Sequence, residues 1–249
     1  MHDEEQARPT VRDGLAYAAR RVTYPEASFL GECPPADVEQ MFVVGVRRAV
    51  YAGELLCREG DPGTEVVILL SGYVKLTKTA ENGRQTMLEL RGPGDVLGDM
   101  SVVDGGPQSA NAIAMGPLEV CVLAASRFDE LRRAHVGIAN ALLAVVVRRL
   151  RQASTRQLEL GTADSLGRVC RRLVDLAASH GEPHRDGVLV QVLSQQELAD
   201  WAGVSRDGVV RALQYLRDAG FVDSGRGRIV IKDLAAVTDR AGRDGMIGS

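Results

Sequence analysis

Aromatic side chains are scarce: one Trp, four Phe and five Tyr in 249 residues, 4% of the chain. The apolar fraction of 45% is nonetheless ordinary, and the length leaves room for one large or two medium domains with a real core. Cysteine is sparse too. Cys33, Cys57, Cys121 and Cys170 stand far apart, so there is no CxxC knuckle and no iron–sulfur run. Each is read as a buried structural thiol, with redox sensing by Cys33, Cys57 or Cys121 left to exposure and thiol pKa. No histidine lies between residues 46 and 123, which removes an evident haem ligand there. His180 and His184 are four apart in HGEPH, but Gly181 and Pro183 make that segment a loop and no further ligand is near, so a metal pair is not expected. Long hydrophobic runs are also missing. ALLAVVV at 141–147 ends at Arg148-Arg149, far too short for a bilayer. The acidic, polar start MHDEEQARPT is no secretory signal, and a cytoplasmic location without membrane contact is expected.

Charge is present but uneven. Residues 1–144 carry 14 Lys and Arg against 20 Asp and Glu, a net of −6, whereas residues 145–249 carry 16 against 13, a net of +3. The C-terminal part is the half suited to a polyanion.

Periodicity changes twice along the chain. Residues 1–26 lack a clean period and read as an extension, with a helix around 12–21. Pro34-Pro35 opens a short helix. From Val46 to Leu123, β-branched runs are cut by evenly spaced glycine turns, the pattern of an antiparallel roll or barrel. Asn82-Gly83 is the strongest single hairpin signal. Then Val136, Ala139, Leu143, Val146, Leu150, Ala153, Gln157 and Leu160 recur at spacings of 3 and 4. That is a heptad seam, and it predicts pairing of two chains through Ala139, Leu143, Val146, Leu150, Ala153 and Gln157. Gly161 suits a helix stop and Asp164 a helix start, which places a hinge at 161–163.

The most informative segment is SQQELADWAGVSRDGVVRAL at 194–213, followed by GFVDSGRGRIVI. Ser194 with Glu197 forms a capping box. Gly203 makes the tight turn of a helix-turn-helix. Ser205 caps a second helix with Val209, Val210, Leu213 and Leu216 on one face and Arg206, Asp207 and Arg211 on the other, near the end that enters a major groove. The glycine-tipped hairpin after it reads as a wing, and residues 206–232 carry six cations against three acids. Ser194 and Gln195 on the first helix, Ser205, Arg206, Asp207 and Arg211 on the second, and Arg226 and Arg228 on the wing are the candidate DNA contacts.

The order of roll, long helix and winged helix-turn-helix, with GDPGTEVVILLSGYVKL at 60–76 and GPGDVLGDMSVVDGGPQSA at 92–110, resembles the bacterial Crp/Fnr family of transcription regulators over about residues 27–235. The resemblance implies an α+β chain: an extension at 1–26, an antiparallel cyclic-nucleotide-binding-like β-roll at 27–126, a dimerisation helix at 127–160, a winged helix-turn-helix at 164–235 and a tail at 236–249. It implies a homodimer that reads a near-palindromic site in double-stranded DNA, with RNA polymerase as a further partner. Ser205, Arg206, Asp207 and Arg211 occupy the family's Ser-Arg-Glu-x-x-x-Arg reading positions. Arg pairs bidentately with guanine and an acid accepts from cytosine N4, but Asp207 is one methylene shorter than Glu, so the family's usual half-site need not transfer.

In cyclic-nucleotide-binding members, the segment matching 98–110 carries a Gly, a Glu and an Arg-Ser or Arg-Thr pair. Here the candidate effector residues are Gly98, Asp99, Met100, Ser101, Gln108 and Ser109, with Asp for Glu and Gln for Arg. Gln108 brings no charge to a phosphate. Losing one partner of a buried charged pair costs about 2–5 kcal/mol, roughly 30- to several-thousand-fold in affinity. Cyclic AMP is therefore a doubtful effector, and another ligand or none is expected unless a cation arrives from elsewhere, Arg91 being nearest in sequence. The competing reading is a cyclic-nucleotide-responsive adaptor or regulated enzyme whose basic module meets protein. No nucleophile–base set or metal site supports a catalytic version, so the chain is not expected to be an enzyme.

Overall fold

A computed structural model describes residues 23–79, 85–190, 193–225 and 227–242, with the backbone alone at 158–162. The expected helix at 12–21 and the Asn82-Gly83 turn lie outside the described residues, as does Arg226.

Two short helices come first among the described residues, α1 (Phe29–Glu32) and α2 (Pro35–Val44), the second with proline at its first turn, where a missing N–H costs nothing. Eight strands follow: β1 (Val46–Val50), β2 (Leu55–Cys57), β3 (Glu65–Ser71), β4 (Val74–Thr79), β5 (Gln85–Arg91), β6 (Val96–Leu97), β7 (Asn111–Ala114) and β8 (Leu118–Ala124), with a single-turn helix α3 (Asp99–Asp104) between β6 and β7. They form two antiparallel four-stranded sheets, ordered β1-β8-β3-β6 and β2-β7-β4-β5. β3 shows why the roll closes. Its run EVVILLS is buried at all five inner positions, because Val67 and Leu69 pack against the facing sheet while Val66, Ile68 and Leu70 pack against the helices. A strand covered on both faces reads as a continuous apolar run rather than an alternation.

The long helix expected over 127–160 is two helices. α4 (Ala125–Ala134) ends at His135, which is extended at φ −118° and ψ 104°, and α5 (Val136–Thr162) carries the heptad seam. His135 Nδ1 lies 3.0 Å from Asp37 on α2, fixing the bend to the N-terminal helices. α5 runs through Gly161, so the break before the next unit narrows to Ala163 and Asp164. The narrow apolar stripe inferred from the seam is half of the helix pattern: Ile138, Ala141, Leu142 and Val145 form a second stripe, buried on the roll.

Asp164 caps α6 (Ser165–His180), its carboxylate accepting from the Gly167 N–H at 2.6 Å. After it come β9 (Glu182–His184), β10 (Gly187–Val190), α7 (Gln195–Ala202), α8 (Arg206–Asp218), the hairpin β11 (Val222–Gly225) and β12 (Arg228–Ile231), and α9 (Leu234–Gly242). The four strands form a third sheet, β11-β12-β10-β9. HGEPH is thus not a loop: it joins the end of α6 to an edge strand, and His180 and His184 share no metal cluster among the described residues. The segment expected as a tail begins as α9, which buries Val237 and Ala241 and pairs Arg240 with Asp164.

The C-terminal unit does not hang free. Met87 and Leu90 of β5 belong to the same buried cluster as Leu173, Leu198 and Leu216. Lys75 on β4 donates to Glu197 on α7 at 2.9 Å, and the His180 ring meets Tyr73 edge-on at 5.2 Å.

Candidate nucleic-acid interface and effector cradle

α7 starts where the capping box closes. Ser194 Oγ accepts from the Glu197 N–H, and the Glu197 carboxylate accepts from both the N–H and hydroxyl of Ser194. Against the opposing effect of burial, the ammonium of Lys75 and the N–H and hydroxyl of Ser194 hold the Glu197 carboxyl below its ordinary range. α7 stops at Gly203, which is left-handed at φ 65° and ψ 36°, a conformation cheap only for glycine. Two residues on, Ser205 Oγ accepts from the Gly208 N–H at 3.1 Å and starts α8.

Gly208, Val209, Ala212, Leu213 and Leu216 are buried, while Arg206, Asp207 and Arg211 are exposed. Val210 departs from the apolar face expected for it. It is 41% exposed and lies three positions after Asp207, the spacing that puts two side chains on one helix face. Arg217 on α8 donates to Ser224 of the hairpin at 2.7 Å, pinning the wing to this helix. Ser194, Gln195, Arg206 and Arg228 border one groove of about 590 Å³ between helix starts and wing.

The cradle is built from the β6–α3 turn and the loop before β7. Gly98 precedes α3 at φ 77°, and a Cβ there would approach the carbonyl oxygen of Glu65 to 2.5 Å, so both conformation and space require glycine. Asp99 is buried, and its carboxylate is engaged within the protein. Arg149 of α5 reaches it at 2.7 Å and also donates to the Val96 carbonyl at 3.3 Å. Burial lowers the Arg149 pKa, as does the neighbouring Arg91 charge, while Asp99, Glu89 and Asp95 oppose the drop. Ser101 is buried, and its hydroxyl has no partner among the described residues. Gln108 is half-buried, its backbone held to Gly60 and Asp61, and its amide lies near Gly63 and Gly98. Met100 and Ser109 are exposed, 3.9 Å apart from sulfur to hydroxyl.

Arg149 is not among the candidate effector residues picked out by motif. The signal was available: Ile138, Leu142, Val145 and Arg149 are spaced 4, 3 and 4, so the buried stripe carries the guanidinium to the cradle. Arg91, proposed as the substitute cation, pairs with Glu89 instead. The thiols are all free. Burial pushes Cys33 and Cys170 up to about 12, and Cys57 and Cys121 up to about 11, which keeps them protonated and unreactive near neutrality.

A sensor-like roll, a helix with an exposed apolar heptad seam and a winged helix-turn-helix define a DNA-binding transcription regulator. The cyclic nucleotide-binding domain family matches residues 47–135, and the Crp-like helix-turn-helix domain family matches residues 167–240. The chain is 32% identical over 195 residues to the CRP-like cAMP-activated global transcriptional regulator of Mycobacterium tuberculosis, covering 76% of this chain and 85% of that one. It is 31% identical over 207 residues to the cyclic AMP receptor protein of Thermus thermophilus, covering 83% and 93%. Among solved structures, FixK2 of Bradyrhizobium japonicum shares the fold at a TM-score of 0.71 and 23% identity, over 80% of this chain and 98% of that one. The chain belongs to the Crp/Fnr family of transcription regulators. Nothing in these matches points to an adaptor or a regulated enzyme. No helix among the described residues is long and apolar enough to cross a membrane.

Proposed function

We propose that the protein is a cytoplasmic homodimer that reads a near-palindromic operator through two copies of α8, with Arg206, Asp207 and Arg211 meeting base edges and Ser194, Gln195 and the wing arginines Arg226 and Arg228 meeting phosphates. The observation that carries this is the seam of α5. Val136 is 75% exposed, Leu143 61% and Leu150 66%, while the opposite stripe is buried. A helix apolar on both sides with one side bare needs a partner, and a second copy of the same heptad supplies it. Sedimentation of the purified protein should give a dimer, and selection from random duplexes should return two half-sites about one helical turn apart. A monomer that binds all duplexes equally would sink the reading. RNA polymerase follows as partner at promoters, and co-sedimentation on promoter DNA tests it.

For the effector, the cradle as built disfavours cyclic AMP: Gln108 offers no charge to a phosphate, and Asp99 is already neutralised by Arg149. One observation favours the second reading. Arg149 brings a guanidinium into the cradle, and the two relatives named above are described as cAMP-activated or as a cyclic AMP receptor. Calorimetric titration with cyclic AMP separates the two. No heat up to millimolar ligand is expected, and micromolar binding would restore the conventional second-messenger switch.

A further inference from the structure

We propose that a second ligand site, distinct from the cyclic-nucleotide cradle, lies where the roll, α5 and the DNA-binding unit meet, and that it takes an oxyanion: inorganic phosphate or the phosphoryl group of a small phosphomonoester. Nothing in the family matches assigns this place. Whether it governs DNA binding rests on the regulator reading above, whereas the site itself does not.

The place is a cavity of about 70 Å³ walled by Arg91 and Asp95 from the roll, Arg149 and Gln152 from α5, and Ser179 and His180 from the end of α6. A water needs roughly 10–15 Å³ of such space, so the cavity has room for about five heavy atoms, the size of a tetrahedral oxyanion. Its walls are rich in donors. Arg91 is 7% exposed. One of its terminal nitrogens pairs with Glu89, and its Nε is buried with no partner among the described residues. Arg149 spends both terminal nitrogens on Asp99 and Val96, and its Nε is likewise buried and bare. Buried donors left bare are costly, and each such group asks for a missing partner.

Arginines outnumber acids in the walls, with Arg91, Arg148 and Arg149 against Glu89 and Asp95, and Arg149 also pairs with Asp99. Arg148 is engaged with Ala27 and Glu32. The Arg91 charge helps depress both Arg149 and His180, and burial lifts Asp95 above the usual carboxylate range. Two guanidiniums that repel each other across a small donor-lined space suit an anion with several oxygens, since charge-assisted hydrogen bonds satisfy the donors and neutralise the repulsion together.

The position gives such a ligand a lever. His180 and Ser179 end the first helix of the DNA-binding unit, Arg91 ends β5, and Arg149 lies on the seam-bearing helix. An anion bridging them binds the docked arrangement better than any undocked one, so it shifts the population toward docking.

The test is calorimetric titration of the full-length protein with inorganic phosphate and, separately, glycerol phosphate, in chloride buffer at constant ionic strength. Saturable binding is expected, weakened at least about tenfold in Arg91→Gln. Gln152→Leu, at an exposed position, should weaken it too, and serves if Arg91→Gln does not fold. Stronger binding of glycerol phosphate identifies a phosphomonoester as the ligand, and equal or weaker binding identifies free phosphate. No heat from either up to about 10 mM, or affinities unchanged in both variants, overturns the site. Operator affinity is then measured with and without the tighter anion. An unchanged affinity, in protein that retains operator DNA, overturns the effector role. Failure to retain operator at all is a separate failure, that of the regulator reading.

Discussion

Asp99 and Arg149 decide the cradle at the scale of single residues. Their side chains are 6% and 15% exposed and 2.7 Å apart. Removing one member of a buried pair leaves an uncompensated charge, which costs about 3–5 kcal/mol, whereas replacing both by apolar groups is often close to neutral. Asp99→Ala should therefore destabilise the protein by several kcal/mol in urea unfolding, and Asp99→Ala with Arg149→Met should recover most of the loss. A single variant within about 1 kcal/mol of wild type would mean that water already screens the pair. On the outer face of α8, Arg211 is exposed with no protein partner among the described residues. If it pairs with a guanine, Arg211→Ala costs about 1–3 kcal/mol at one base pair and leaves the other positions of the site intact. Equal loss on every duplex in a binding-site selection would reduce Arg211 to a phosphate contact. Val210 beside it offers an apolar surface of the kind that meets a thymine methyl.

Elements were legible from sequence where one force set their pattern. The roll strands followed from β-branched runs between glycine turns. The helix-turn-helix followed from Ser194, Glu197, Gly203 and Ser205, because caps and left-handed turns are local chemistry. Two things escaped. Met87 and Leu90 read as ordinary roll residues, yet they belong to the C-terminal core, since a strand pattern reports that a face is buried but not what buries it. Arg149 was hidden for the opposite reason: a charge after an apolar run reads as a helix edge, and only the second stripe of α5 places it inside. That helix is the element with the plainest prediction. Leu143 and Leu150 are bare in the single chain, so Leu143→Glu with Leu150→Glu should leave the fold intact and place like charges across the seam. Sedimentation should report monomer, and operator affinity should fall by orders of magnitude as two half-site contacts become one. A variant that stays dimeric would move the dimer axis off this seam.

Across the whole molecule, the orientation of the DNA-binding unit rests on a small mixed interface: Met87 and Leu90 in the C-terminal core, Lys75 with Glu197, and Tyr73 with His180. Its ionisable member facing neutral pH is His180. Burial, followed by the Arg91 charge, lowers its pKa to about 4, with Glu89 opposing. The docked state thus holds the imidazole neutral, while in the unfolded chain it titrates at about 6.5. A depressed folded pKa contributes stability that is present above about pH 6.5 and is lost progressively as pH falls toward about 4, because the unfolded state takes up the proton first. Lys75 and Glu197 do not reverse this. The Glu197 carboxyl, held low by its donors, also loses its contribution on acidification. Comparing wild type with His180→Gln isolates the histidine, since Glu197 is common to both. The stability difference in urea unfolding should favour wild type most at about pH 7 and shrink or change sign by about pH 5. A difference that stays level over that range would mean that water reaches the ring and that the apolar contacts of Met87 and Leu90 alone hold the unit in place. If the difference does shrink, operator affinity measured over the same pH range will show whether the docked orientation is the one that reads DNA.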